Sequence, residues 1–222
     1  MYAADPARLE QALATLLGPE FVVSVAGIAP TTPAVPARPA PERGVTHDAP
    51  SLEAARRTER QVGRAALRRV ADRLGERVDT DRLVLPHPRL TLTHSHGVAV
   101  AVGARGASTG IGVDLEAVRP VNPGIARLFL TAAERTRLGA AAPAGSAAPA
   151  TSPDVLLRLW TVKEAVFKAD TGNAGRILAD YELCRPAAWS GHATRGGSRF
   201  RYRTVQLPGH LVSVAVHEER TA

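Results

Sequence analysis

Two hydrophobic spacings alternate along the chain. Residues Pro6–Leu17 repeat their apolar positions at helical spacing, and residues 21–28 form an apolar run of strand length. From 29 to 50 the pattern stops, and six prolines without periodicity predict an exposed loop. Leu52, Ala55, Val62, Ala66, Val70 and Leu74 then recur every three to four residues or a multiple, which predicts one long helix capped by Ser51 and stopped by Gly75. Arg56, Arg57, Arg60, Arg64, Arg68 and Arg69 take its other faces. Residues 90–92 and 98–102 read as strand pieces around a polar turn, Thr93-His94-Ser95-His96-Gly97. Residues 103–110 read as a turn and 111–118 as a further strand.

The second half repeats the mixture. Residues 122–138 have a helical pattern, with a second helical piece starting near 131–134. Residues 139–153 are low-complexity, 154–169 are strongly helical, and strands are expected around 181–184, 200–206 and 211–216. Each half therefore carries strands and one major helix, without a detectable sequence repeat. The expected class is α+β, divided near residue 106 into subdomains 1–106 and 107–222.

Composition narrows the possibilities. The 222 residues are 45% apolar, enough for a core, but only 4% aromatic, so Ala, Val and Leu must build it. Cys184 is the single cysteine, which excludes an internal disulfide and a cysteine-based zinc site, and it reads as a small buried residue. No apolar run approaches the roughly 20 residues of a membrane span, and no basic-then-apolar leader opens the chain, so a cytoplasmic protein is expected. The net charge of +7 suggests an anionic partner without selecting one. Of the 28 basic residues only Lys163 and Lys168 are lysine, and they sit on one helix. In a chain that otherwise uses arginine, this marks a place where an ammonium is needed.

The chemistry concentrates in two segments. In Gly112-Val113-Asp114-Leu115-Glu116, a strand would point Asp114 and Glu116 to the same face. Two such carboxylates raise each other's pKa, and a hard cation such as Mg²⁺ relieves the repulsion. A solvent-facing edge strand would carry the same pattern. On the 154–169 helix, Lys163 falls within the apolar stripe of Leu156, Leu159, Trp160 and Phe167, while Trp160, Glu164 and Lys168 lie a turn apart along its edge. An exposed Glu164–Lys168 pair alone would be an ordinary helix contact. A lysine on the packed side needs an anion or it loses its proton. Three carboxylates and two lysines together suit a metal–phosphate site.

GVDLE followed by WTVKEAVFKA resembles the paired signatures of the Sfp-type 4′-phosphopantetheinyl transferases, a G-[VI]-D-x-E strand and a W-[ST]-x-K-E-[AS]-x-x-K helix. Thr93-His94-Ser95 is similar to the family's Ser/Thr-His-Ser turn, and Arg56-Arg57-Thr58-Glu59 with Arg64 to its R-R-x-E…R helix. Phe129-Leu130-Thr131 with Glu134 resembles a further segment between the two signatures. The resemblance implies a cleft between two pseudo-symmetric halves, each a small antiparallel sheet with a long helix. It implies transfer of 4′-phosphopantetheine from coenzyme A to a serine of an apo acyl or peptidyl carrier protein, releasing adenosine 3′,5′-bisphosphate. Asp114, Glu116 and Glu164 would hold Mg²⁺, or Mn²⁺; Lys168 and Lys163 would contact the phosphates; Glu164 and Lys168 would be catalytic. Arg56, Arg64, His94 and Ser95 would hold the 3′-phosphate end. The expected protein is a monomer that engages neither nucleic acid nor membrane. Residues 81–89 depart from the pattern by lacking a lysine that many relatives carry there, which leaves Arg82 or Arg89 to replace it.

Other signals carry less. His94 and His96 lack further ligands for a zinc set, and Gly110 and Gly112 lack the third glycine of a dinucleotide loop. Glu134 reads as structural or carrier-facing. Two rival functions use the same features: a Mg²⁺-dependent nucleotide phosphohydrolase, and a basic nucleic-acid binder whose affinity would fall steeply with salt.

Overall fold

The computed structural model describes residues 5–27, 52–95, 97–106, 109–141 and 153–218. The proline-rich stretch, Ser51, His96 and residues 142–152 of the low-complexity stretch lie outside them. In chain order the elements are α1 (Pro6–Leu17), β1 (Phe21–Gly27), α2 (Leu52–Leu74), β2 (Leu90–Ser95), β3 (Val98–Ala104) and β4 (Ile111–Ala117). There follow a 3₁₀ turn at Pro123–Ile125, α3 (Ala126–Phe129), α4 (Ala132–Ala141), α5 (Pro153–Ala169), β5 (Glu182–Leu183), β6 (Ser190–Arg195), β7 (Ser198–Leu207) and β8 (His210–Glu218).

The strands form two antiparallel sheets, β1-β3-β2 and β4-β8-β7-β6-β5, so the class is α+β. Alternation along each strand decides the layering. On β1 and β3, Val22 and Ala101 face α2, where Ala66, Leu67, Val70 and Ala71 meet them. The opposite residues, Val23, Val25, Val100 and Val102, pack with Ile111, Val113 and Leu115 of β4 and with Val205, Val212 and Val214 of β7 and β8. That shared cluster joins the two sheets back to back, with α2 outside the first and α5 outside the second. Each fully buried Val or Leu contributes about 1.5–3 kcal/mol to this arrangement.

Several local expectations are corrected. The polar stretch 93–95 is strand, because Thr93, His94 and Ser95 pair with Val100, Ala99 and Val98. Gly103 and Ala104 likewise extend β3 rather than starting the turn. Residues 122–138 hold the second helical piece expected near 131–134, as α4, while the first piece is only a 3₁₀ turn and the four-residue α3. Asn122 caps the 3₁₀ turn by accepting from Gly124 N, and Thr131 opens α4 through a reciprocal box with Glu134. The α2 stripe is centred on Leu67 and Ala71 as well as Ala66 and Val70, leaving Val62 half-buried. β6 escaped the pattern because Ser190–Arg195 buries only Ala193. Cys184 is exposed, beyond the end of β5.

Candidate active site

β4 is an edge strand of the five-stranded sheet and β2 an edge strand of the other. They meet through side chains: Val113 N donates to Thr91 Oγ1 (3.3 Å), and Thr93 Oγ1 lies 3.4 Å from Asp114 Oδ1. On the other flank of β4, α5 approaches without intervening side chains. A Cβ on Gly112 would fall 2.0 Å from Ala165 O, and one on Gly110 would fall 1.8 Å from Ala169 O. These two glycines let helix backbone rest on strand backbone, and that brings Glu164 and Lys168 over Asp114.

The result is a cavity of about 380 Å³ lined by Leu92, Thr93, His94, Asp114, Leu115, Glu116, Trp160, Glu164 and Lys168. Its apolar wall is held by Trp160, whose ring meets Phe129 edge-on at 5.3 Å. Lys168 Nζ is 2.6 Å from Asp114 Oδ1 and 3.9 Å from Glu164 Oε2. Glu116 is 3.4 Å from Arg119. Asp114 is 5% exposed, and its Oδ2 is buried without a hydrogen-bond partner. Burial pushes its carboxyl up to about 6; Lys168 opposes the rise, and Glu164 and Glu116 add to it.

The residues expected at the site thus divide. Asp114, Glu116, Glu164, Lys168 and His94 line one cavity. His94 Nδ1 is also 3.7 Å from Glu59 on α2. Ser95 ends β2, beside His94. Arg56 is exposed on the first turns of α2. Arg64 donates to Thr80 O (2.5 Å) and Leu83 O (3.1 Å) and does not line the cavity. Arg89 is bound to Glu76 and Ala104 O, while Arg82 is exposed near Asp79.

Lys163 lies elsewhere. It is fully buried, 2.7 Å and 2.9 Å from the two Glu134 oxygens and hydrogen-bonded to Tyr181 O. Glu134, also fully buried, accepts in addition from Thr131 N and Leu183 N. Burial pulls the Lys163 ammonium below the usual lysine value, and Glu134 pulls it back. Every donor and acceptor of this pair is used inside the protein, so Lys163 does not reach the cavity. Its anion is an internal carboxylate rather than a phosphate. Thr93's contact with Asp114 is not legible in the sequence, because the polar run 93–97 has the composition of a turn.

Residues 110–215 match the family model described as ACPS, the 4′-phosphopantetheinyl transferase superfamily. The chain carries a 4′-phosphopantetheinyl transferase superfamily domain. That domain begins at Gly110, just before β4, and ends in β8, so it includes Asp114, Glu116, Glu164 and Lys168. The superfamily match supports a transferase acting in phosphopantetheine transfer generally; members of that superfamily use coenzyme A and act on carrier proteins. No curated protein matches the chain. No helix among the described residues is long and apolar enough to cross a membrane.

The acidic cluster of this transferase domain fits a hard divalent cation. Its donors are carboxylate oxygens, and one of them, Asp114 Oδ2, is buried with nothing to accept from. Among the described residues no three potential ligands converge closely enough to hold an ion as they stand. The Lys168 ammonium instead neutralises Asp114, with Glu164 nearby. A cation at these carboxylates would compete with the Lys168 ammonium for Asp114.

Proposed function

We propose that this chain is an Sfp-type enzyme that transfers 4′-phosphopantetheine from coenzyme A to a serine of an apo acyl or peptidyl carrier protein, as a cytoplasmic monomer requiring Mg²⁺ or Mn²⁺. The observation that carries the reading is the buried, partnerless Asp114 Oδ2 beside Glu164 and Lys168, inside the transferase domain. Asp114, Glu116 and Glu164 would hold the cation. When bound, it supplies positive charge to the pyrophosphate oxygens.

The chain's own residues do the rest. Lys168 turns to the phosphates and neutralises charge on the transferring phosphoryl group. Glu164 accepts the proton of the acceptor hydroxyl, being a carboxylate that lines the cavity. The serine oxygen forms a bond to the β-phosphorus, the bond from that phosphorus to the bridging oxygen breaks, and adenosine 3′,5′-bisphosphate leaves. His94 at the cavity rim, with Ser95 and Arg56, meets the 3′-phosphate. Arg64 supports this end by bracing residues 80–83 against α2. Trp160, Leu92 and Leu115 form an apolar wall that limits water around the reacting phosphate.

The test compares nucleotide release with and without acceptor. With Mg²⁺ and coenzyme A, adenosine 3′,5′-bisphosphate should appear only when an apo carrier domain is added. Release without any carrier would make the chain a phosphohydrolase instead.

A further inference from the structure

The site depends on how α5 is turned about its own axis. Glu164 and Lys168 meet Asp114 from one edge of the helix. Against β4 the helix rests on Gly110 and Gly112, backbone on backbone, so at those points no side chain resists rotation. The surrounding Val162, Ala165 and Val166 are held by apolar burial, which has no preferred direction. A group on the helix surface lies about 5–6 Å from the axis. A turn of about 10° therefore moves it by about 1 Å, a displacement able to cost about 10²-fold in rate.

Two buried polar anchors oppose that rotation, and both end on one residue. Lys163 and Asp170 are seven residues apart, about two turns of helix, and so share a face. That face lies roughly 100–160° around the axis from Glu164 and Lys168. Lys163 donates to Tyr181 O, while the Tyr181 hydroxyl donates to Asp170 Oδ2 (2.7 Å). Tyr181 is fully buried and stands just before β5 of the five-stranded sheet. Its ring meets Phe167 of α5 and Phe200 of β7 edge-on, at 5.9 Å and 5.8 Å. Asp170, just past the end of α5, is buried too. It also accepts from Gly172 N (2.9 Å) and pairs with Arg195 of β6 at 2.7 Å. Burial, and then the bond to Asp170, push the Tyr181 phenol above its usual pKa, so the hydroxyl stays a donor. One tyrosine thus ties two points of α5 to the sheet.

We propose that Tyr181, acting through Asp170, is a positioning residue for the transfer: it holds α5 at the rotation that sets Lys168 and Glu164 against Asp114. This rests on the transfer reading above and names what keeps its reacting groups aligned. Neither Tyr181 nor Asp170 lines the cavity, so neither touches a substrate bound there. Tyr202 separates positioning from simple support of the core. It is also buried, on β7, but its hydroxyl donates to Arg185 O (3.1 Å), a bond that does not involve α5.

The experiment is steady-state transfer by the full chain with Mg²⁺, coenzyme A and an apo acyl carrier domain, beside thermal unfolding. Tyr181→Phe keeps the ring and removes the bond to Asp170. It should lower kcat about tenfold or more and leave both KM values within about twofold, because only the alignment of the reacting groups is lost. Asp170→Asn should lower kcat in the same way, and the two changes together should lower it by less than the product of their separate effects. Tyr202→Phe deletes the same group elsewhere in this core and should leave kcat within about twofold, whatever its effect on the melting temperature. An unchanged kcat in Tyr181→Phe, or a fall that Tyr202→Phe matches, would overturn the positioning role and leave the transfer reading intact. A raised KM for coenzyme A with unchanged kcat would overturn it by assigning Tyr181 to substrate binding. Absence of transfer by folded wild-type protein would overturn both readings.

Discussion

Asp114 should weaken the fold in which it sits. Its carboxyl titrates at about 6 rather than 3.8, chiefly because burial disfavours the anion. That displacement corresponds to about 3 kcal/mol of folding free energy. The folded-state pKa is the raised one, so the stability associated with this group is fully present below pH 3.8 and is lost as pH rises through about 6. Asp114→Asn keeps the shape and removes the charge. In metal-free buffer at pH 8 the variant should be more stable than wild type by up to about 3 kcal/mol, and the gap should close toward pH 4, where both side chains are neutral. Urea denaturation of both proteins across this range measures the difference, and effects of other titrating groups largely cancel. Adding Mg²⁺ or Mn²⁺ should stabilise wild type and not the variant. A variant less stable than wild type at pH 8, or a gap independent of pH, would refute the picture of an acid held under strain for a cation.

Three further outcomes follow from the same geometry. Lys168→Met removes the main influence opposing burial of the carboxylate, so the Asp114 midpoint, followed by carboxyl NMR without metal, should move above about 6. Lys163→Met strands Glu134 in the core and should cost about 3–5 kcal/mol in chemical denaturation, with Glu134→Gln added to Lys163→Met recovering part of the loss. Gly112→Ala places a methyl against the Ala165 carbonyl; it should cost about 1–3 kcal/mol or more and lower cation affinity by moving α5 away from β4, as titration calorimetry would record.

The chemistry of the site was more legible than its supports. Asp114 and Glu116 are two apart on a strand, and Trp160, Glu164 and Lys168 are four apart on a helix, so local periodicity already aligns each set. What periodicity does not report is which neighbour an aligned residue meets. Lys163 sits one position from Glu164, yet it turns into the core because Glu134 waits there on α4, 29 residues earlier. The polar run 93–95 resembles a turn by composition and is strand only because β3 pairs with it. Gly110 and Gly112 likewise showed no dinucleotide loop, and their purpose appears only when α5 lies across them. The alternation on β1, β3 and β4 does foreshadow the sheets, but their back-to-back packing depends on long-range contacts.

The most direct measurement is the intact mass of an apo carrier domain after incubation with the chain, coenzyme A and Mg²⁺. The account predicts a gain of one phosphopantetheinyl group, absent with a carrier whose acceptor serine is replaced by alanine, and absent with Asp114→Ala in protein that remains folded. An unchanged carrier mass across acyl and peptidyl carriers, with wild-type protein that binds coenzyme A, would contradict it.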